Sequence, residues 1–389
     1  MSTRVAVLTS VHSPWDVRIF HRECRALAAA GYEVTVVGPA DLPRQEQDGI
    51  TVLGIPKPRR RWRRPGVWWR LFRQVQRLRP AVVHFHDPEL LLLVPLLRLG
   101  LGRRVKIVYD AHEYFIDSLR VKYWIPRPLR PAVAFVARWA ERLLVRGLDG
   151  LVCAVEGQVP LYRYFRGAVA VVRNLPAASL FEGARPHPAL DVSGFKLIYV
   201  GLILPQRGID VLLEAIRILH QRGADDIHLF LLGPLTAPGY VRALQSFAQA
   251  HRVAGQVHWL GPVPHDQLRH YLANADVGLV PVVITRQYRN PSLSTKLFEY
   301  MLSGLPVLAA DCPDYRVFVE ESSGGLVVPG REAPAYAEAI LWLRDHADEA
   351  RAMGQRGKAM VLDHYTWEKE QERLVSFYGR LLERPRHEV

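Results

Sequence analysis

Short runs rich in valine and isoleucine alternate with helical patterns along this chain, and the alternation happens twice. "VAVLT" leads into a helix around Phe20–Ala30. "YEVTVVG", "ITVLGI", "AVVHFHD" and "VKIVYDAHE" follow, then a long helix near Pro131–Arg146, then "DGLVCAV" and "AVAVVRN". Strands alternating with helices imply a parallel sheet covered on both faces. The pattern breaks at Leu175–Gly194, a Pro/Ala/Gly-rich stretch that reads as a linker. It restarts at "FKLIYVG" and "GIDVLLEAIRILHQRG", where Val211, Leu212, Ala215, Ile218 and Leu219 share one stripe. "IHLFLLG", "QVHWLG", "DVGLVP", "LPVLAA" and "GGLVV" supply further strands. The expected fold is α/β, with two doubly wound, Rossmann-like domains facing a central cleft. Open parallel sheets bind ligands at the carboxyl ends of their strands.

The bulk numbers agree with two globular domains. There are 389 residues, 49% of them apolar, and a domain usually takes roughly 100–200 residues. A net charge of +13 favours anionic partners. Cys24, Cys153 and Cys312 have neither metal-ligand nor redox spacing and read as small buried residues. The N-terminus "MSTRVAVLTS" is expected to be a strand rather than a signal peptide. The apolar run "LLLLVPLL" is far short of the roughly 20 residues a spanning helix needs, so a cytoplasmic or peripheral protein is expected.

Four constellations carry possible chemistry. In "NPSLSTKLFEYMLSGLPVLAAD", Ser294 and Thr295 stand where a helix begins, with Lys296 and Glu299 in its first turns. Free N–H groups there suit phosphate or sugar hydroxyls, and Ser294 or Thr295 equally suits a plain N-cap. Glu299 suits a ribose, or is only a solvated charge. In "YVGLILPQRGID", the loop after Gly201 carries Arg207 and Gly208, and an arginine there suits a diphosphate or simply faces solvent. In "HFHDPE" and "YDAHE", His86, Asp87, His112 and Glu113 follow apolar strands and would gather at one sheet edge. His84 belongs to the sheet face, and no His-Glu-x-x-His or cysteine pair points to a metal. Finally, Lys57–Arg79 carries ten basic residues and no acidic one. Arg61, Trp62, Arg63, Arg64, Trp68 and Trp69 are its densest part. A membrane surface, a solvated arginine-rich face and single-stranded nucleic acid all remain open for it, the membrane first.

These motifs occur in an order that resembles the retaining glycosyltransferases of family 4, which have the GT-B fold. "VGLILPQRGIDVLLEAI", "GPVPHDQLRHYLANADVGLVP" and "STKLFEYMLSGLPVLAAD" look like its C-terminal domain. "DVRIFHRECRALAAAGYEVTVVG", "VVHFHDPELL" and "YDAHE" look like a bacterial branch that builds surface polysaccharides. The resemblance covers nearly the whole chain. It implies an acceptor-binding domain over 1–180 and a nucleotide-sugar domain over 181–366, with a final helix over 367–389 packing back on the first. It implies that Glu299 holds the donor ribose, Arg207 the diphosphate, and that His112 lies against the transferred sugar. The backbone at Ser294 and Thr295 would meet that sugar's hydroxyls, and Val263 would line the nucleobase. The sequence departs from the family where a first glutamate would stand, at Pro291, and where a second basic residue often stands, at Leu202. Lys296 is expected to compensate on the phosphates. "VHSPWDVRIF" replaces a paired-glycine loop, so Asp16 and Arg18 are expected to contact acceptor or phosphate.

The implied reaction moves a sugar from a nucleoside diphosphate sugar to a hydroxyl of a lipid-linked or polysaccharide acceptor, at the inner face of the cell membrane. A UDP-sugar is the first expectation and GDP-mannose the second, with no cofactor and no metal. An epimerase or a phosphorylase-like enzyme of the same fold is the rival; a phosphorylase would need a pyridoxal-phosphate lysine, for which there is no clear candidate. A nucleic-acid-binding protein would leave Lys296, Glu299 and Arg207 unexplained, so nucleic acid is not an expected partner.

Overall fold

The computed structural model describes residues 2–383 except Arg59, Arg61, Trp62, Val121, Tyr123 and residues 282–292. The chain divides into two compact units. The first is Met1–Asn174 together with the segment from Lys369, and the second is Leu175–Glu368.

The first unit is built on β1 (Arg4–Leu8), β2 (Glu33–Pro39), β3 (Arg44–Gln47), β4 (Ile50–Ile55), β5 (Val82–Phe85), β6 (Lys106–Ala111), β7 (Gly150–Cys153) and β8 (Ala168–Val171). Their order is β3-β4-β2-β1-β5-β6-β7-β8. All pairs are parallel except β3–β4. Strands such as "VVHF" and "KIVYDA" are buried along their whole length, which is why they are mostly apolar without alternation, even though they bury His84, Lys106 and Asp110. The antiparallel β3 was not foreseen. An Asp48-Gly49 turn, with both residues at positive φ, folds it against β4, and that dipeptide was its signal. The helix expected from Phe20 begins earlier, at Val17, and its first turns to Cys24 are wound as a π-helix.

The second unit carries β9 (Phe195–Val200), β10 (Ile227–Leu232), β11 (Val257–Gly261), β12 (Val277–Val280), β13 (Val307–Ala310) and β14 (Gly325–Val328). The order is β11-β10-β9-β12-β13-β14, parallel throughout, and it reverses direction between β9 and β12. The helix Ile209–Gln221 lays its apolar face on this sheet; Ile216 joins the buried stripe, while Ile218 sits at its edge.

The stretch Leu175–Gly194 is not a free linker. Leu175 and Leu190 are fully buried in the second unit's core, and two short 3₁₀ turns, Ala178–Phe181 and Pro188–Leu190, carry the chain between them. Its Pro/Ala/Gly composition suits tight turns, and the two leucines anchor them. The helix Trp367–Glu383 turns Leu374, Phe377, Tyr378 and Leu381 inward, the spacing of one helical face. From Lys369 it belongs to the first unit, where the Tyr378 hydroxyl lies 2.7 Å from His84 Nδ1.

Candidate functional site

In the second unit, the carboxyl ends of β9 and β12 flank the point where the strand order reverses. Crevices form at such points, and ligands bind there. The chain leaves β9 at Gly201, whose φ is +137°; a Cβ there would sit 2.9 Å from Lys296 Nζ. A turn, Pro205–Arg207, then delivers Arg207 just before Gly208, the N-cap of the helix Ile209–Gln221. Gly208 has φ +71°, and a Cβ on it would collide with the Pro281 carbonyl oxygen at the end of β12. Glycine at 208 therefore lets the loop after β9 press against the loop after β12.

The helix Thr295–Leu302 begins on the β12 side. Ser294 is its N-cap and makes no side-chain cap hydrogen bond. Lys296 is half-buried as a residue, but its Nζ is buried and has no hydrogen-bond partner among the described residues. It lies 4.2 Å from the centroid of the Tyr199 ring. Burial first, then the charge of Arg207, push its pKa down to about 7, against a smaller opposing pull from Glu299. Glu299 is buried too, and its Oε1 lies 2.9 Å from His265 Nε2. His265 was missed at the level of sequence; its place directly after "GPVP" was the available signal. Val263 is half-buried against the core, and Leu202 is exposed, its carbonyl accepting from the Tyr199 hydroxyl at 3.0 Å. Pro291 lies outside the described residues. An unpartnered buried ammonium beside a guanidinium, at a helix N-terminus, is chemistry suited to an anion.

Lys296 makes stability depend on pH. Its folded pKa of about 7 lies below the ordinary lysine value of 10.5. Between those two values the unfolded chain holds a proton that the folded chain has released. Stability therefore rises as pH climbs through that window, and the cost of burying the charge is full below about pH 7. Lys296→Met should raise unfolding stability at neutral pH by about 1–3 kcal/mol. A melting series of the variant from neutral to alkaline pH should also lose most of that alkaline rise. An unchanged series would mean the ammonium is solvated.

The first-unit candidates do not form an open site. Arg18 is buried: it donates to both sides of the network, to Asp110 Oδ2 at 2.7 and 3.0 Å and to the Val172 carbonyl at 3.0 Å, and its Nε lies 2.9 Å from Glu23 Oε1. It is thus a structural cation, contrary to the expected contact with acceptor or phosphate. Asp16 is half-exposed and works as an N-cap, accepting from the Arg18 and Ile19 amides. His86 is buried and stacks on His84 at 4.9 Å. Asp87 is buried as well; it clamps the loop after β1 by accepting from Thr9 Oγ1 and the Ser10 amide. Both therefore sit inside rather than at the sheet's open edge, because the loop after β1 folds over them. Glu113 is exposed. His112 is partly exposed, its Nδ1 3.4 Å from Asp110 Oδ1; burial lowers its pKa, but Asp110 outweighs that and the net shift is upward.

Glu23, His84, His86 and Asp110 bring ligand-type atoms within 4.8 Å of one another. The Arg18 guanidinium already lies against both carboxylates, so this group has a resident cation of its own. Burial, then the charge of Asp110, hold Glu23 well above the usual carboxyl range. Burial alone would raise Asp110 too, but Arg18, His112 and His86 together outweigh it and hold Asp110 well below.

The basic stretch after Lys57 gives its apolar half to the core. Val67, Leu71, Phe72 and Val75 of the helix Arg64–Leu78 are buried. Trp68 Nε1 and Arg64 both turn onto Glu89, while Arg63 and Trp69 are exposed. Arg61 and Trp62 lie outside the described residues.

Two family models match the chain. One described as "Glycosyl transferase 4-like domain" matches residues 17–178, and one described as "Glycosyl transferases group 1" matches residues 194–346. A Mycobacterium tuberculosis protein named GDP-mannose-dependent alpha-(1-6)-phosphatidylinositol monomannoside mannosyltransferase is 26% identical over 298 residues, 74% of this chain and 72% of that one. Among solved structures, sucrose-phosphate synthase from Thermosynechococcus elongatus superposes with a TM-score of 0.76 at 18% identity, covering 97% of this chain and 99% of that one. The Anabaena protein HepE, in a structure described as a complex with UDP, gives 0.74 at 14%, covering 97% and 100%. At these identities the two structures speak to the fold alone.

Proposed function

The chain belongs to the GT-B glycosyltransferases of the family 4 type, and from that premise we propose that it moves a sugar from a nucleoside diphosphate sugar to an acceptor hydroxyl with retention of anomeric configuration. The observation that carries this reading is the buried Lys296 ammonium, without a hydrogen-bond partner among the described residues and electrostatically coupled to Arg207 at the β9/β12 reversal. Negative charge grows on the leaving diphosphate as the glycosidic bond breaks. Arg207, Lys296 and the amides opening the helix Thr295–Leu302 stabilise that charge in a dry, preorganised site. Cations already in place make a metal unnecessary. Glu299, steadied by His265, accepts the donor ribose hydroxyls. His112 takes the role of sugar contact that the resemblance implies. The leaving phosphate takes the acceptor's proton, so no carboxylate nucleophile of the glycosidase kind is needed.

A UDP-sugar is the donor we favour. GDP-mannose is the second reading, because the mycobacterial relative is named for it. The acceptor is a lipid-linked or polysaccharide glycan of cell-surface biosynthesis, met by a peripheral enzyme at the inner face of the membrane.

The test is a melting panel with UDP, GDP, ADP and their common sugar conjugates. A ligand that binds only the folded protein raises its melting temperature. One base should stabilise the wild type clearly, and Glu299→Ala should weaken that ligand by about tenfold or more, the cost of losing a charged hydrogen bond. If no nucleotide stabilises either protein, the donor-site reading fails and the fold alone remains.

A further inference from the structure

The helix Arg130–Val145 of the first unit buries only Ala134, Glu141 and Val145. Its other face is open and apolar: Phe135 is 63% exposed, Val136 66%, Trp139 56% and Leu143 64%. Four large apolar side chains on one exposed helical face exceed the scattered ones any surface carries. Arginine predominates along the helix, with Glu113 and Asp117 beside Arg138 on one flank. Residues 126–147 contain five arginines and one acid, Glu141, which is buried and accepts from the Tyr162 hydroxyl at 3.0 Å. Arg138 and Arg146 are exposed, and the Arg142 guanidinium lies over the rings of Trp139 and Tyr164, 5.4 and 5.5 Å from their centroids.

An apolar stripe rich in Trp, Phe and Leu, edged by arginines, suits the boundary between lipid headgroups and acyl chains. The apolar side chains enter the acyl layer, while the arginines keep their heads at the phosphates. No helix among the described residues is long and apolar enough to cross a membrane, so the contact is with its surface. The earlier basic stretch offers less: of the aromatic residues in the helix Arg64–Leu78, Phe72 is buried and Trp68 is held by Glu89, leaving Trp69 exposed.

We propose that the Phe135–Leu143 face docks the first unit on an anionic lipid bilayer. This deepens the membrane part of the proposed function and rests on that reading for its biological use. The excess of positive charge along the apolar stripe, where Arg142, Arg146 and Arg163 line the groove with Phe135, Trp139 and Leu143, selects an anionic bilayer as the occupant.

The test is co-sedimentation with vesicles of phosphatidylglycerol and phosphatidylcholine in equal parts, at low salt, with pure phosphatidylcholine as the comparison. The wild type should pellet with the anionic vesicles only, and less as salt rises. Phe135→Ser/Trp139→Ser should weaken binding by at least about tenfold, as should Arg138→Glu/Arg142→Glu, while Trp69→Ser should stay within about twofold. All the altered side chains but that of Arg142 are exposed, so the fold is expected to hold; the melting temperature checks it. Three results would overturn the proposal: no vesicle binding by the wild type, loss caused by Trp69→Ser but not by the double variants, or double variants that only dissolve a self-associated species seen in sedimentation velocity. The nucleotide-induced melting shift, read on the same proteins, reports the donor site separately, so failure on vesicles and failure of the glycosyltransferase reading are distinguishable.

Discussion

Arg18→Met should destabilise the first unit by about 3–5 kcal/mol, the usual cost of removing one partner from a buried ion pair. Methionine keeps much of the side chain's volume but strips the counter-charge from Asp110, which is fully buried. The loss should appear as faster hydrogen exchange in β6 and β8, whose ends the network joins through Asp110 and the Val172 carbonyl, with β9 and β12 little changed. The difference between variant and wild type should be full at neutral pH. It should begin to shrink while the pH is still above the ordinary carboxylate range, because without Arg18 burial raises the pKa of Asp110, which then takes up a proton and no longer needs a cation. A double variant, Arg18→Met/Asp110→Asn, should regain much of the stability. If the double variant is no more stable than the single one, the ion pair is not the cause.

Arg207→Ala should lower kcat/KM for sugar transfer by about a hundred- to a thousandfold, the range for removing one preorganised charge stabiliser. The fall should lie mostly in kcat, since the interaction strengthens as charge builds on the leaving diphosphate. Arg207→Lys should recover only part, because an ammonium lacks the guanidinium's two-pronged fit to phosphate oxygens. The same substitution should raise the pKa of Lys296, because the charge of Arg207 is, after burial, what holds it down. A loss of under about threefold would remove Arg207 from the charge-stabilising role.

Much of this was legible from residues alone. Parallel strands buried on both faces advertise themselves as continuous apolar runs, so the two sheets and the helix Ile209–Gln221 stood out. The grouping of Arg207, Lys296 and Glu299 followed from loops that both leave strands at one edge. The misses share a physical cause, which is that exposure is a tertiary property. "WWRLF" and "AFVARWAERLL" look alike as strings, yet the first gives Leu71 and Phe72 to the core while the second leaves Phe135, Trp139 and Leu143 in the open. Arg18 read as a surface contact because arginines seldom lie buried, and only the convergence on it of Glu23, from its own helix, and Asp110, from β6, makes burial tolerable. Leu175 and Leu190 looked like linker residues because fourteen positions of tight turns separate two anchors that meet in one core.

The returning helix Trp367–Glu383 has a consequence for how the protein is made. The first unit takes its last piece from the far end of the chain, after the whole second unit has left the ribosome. Until then, the places of Phe377, Tyr378 and Leu381 stand empty, and His84 lacks its partner hydroxyl. The second unit is continuous and can close on its own during synthesis, whereas the first begins early and finishes last. A chain truncated after Glu368 would thus hold the whole second unit but an unfinished first one, with an apolar surface for chaperones to cover.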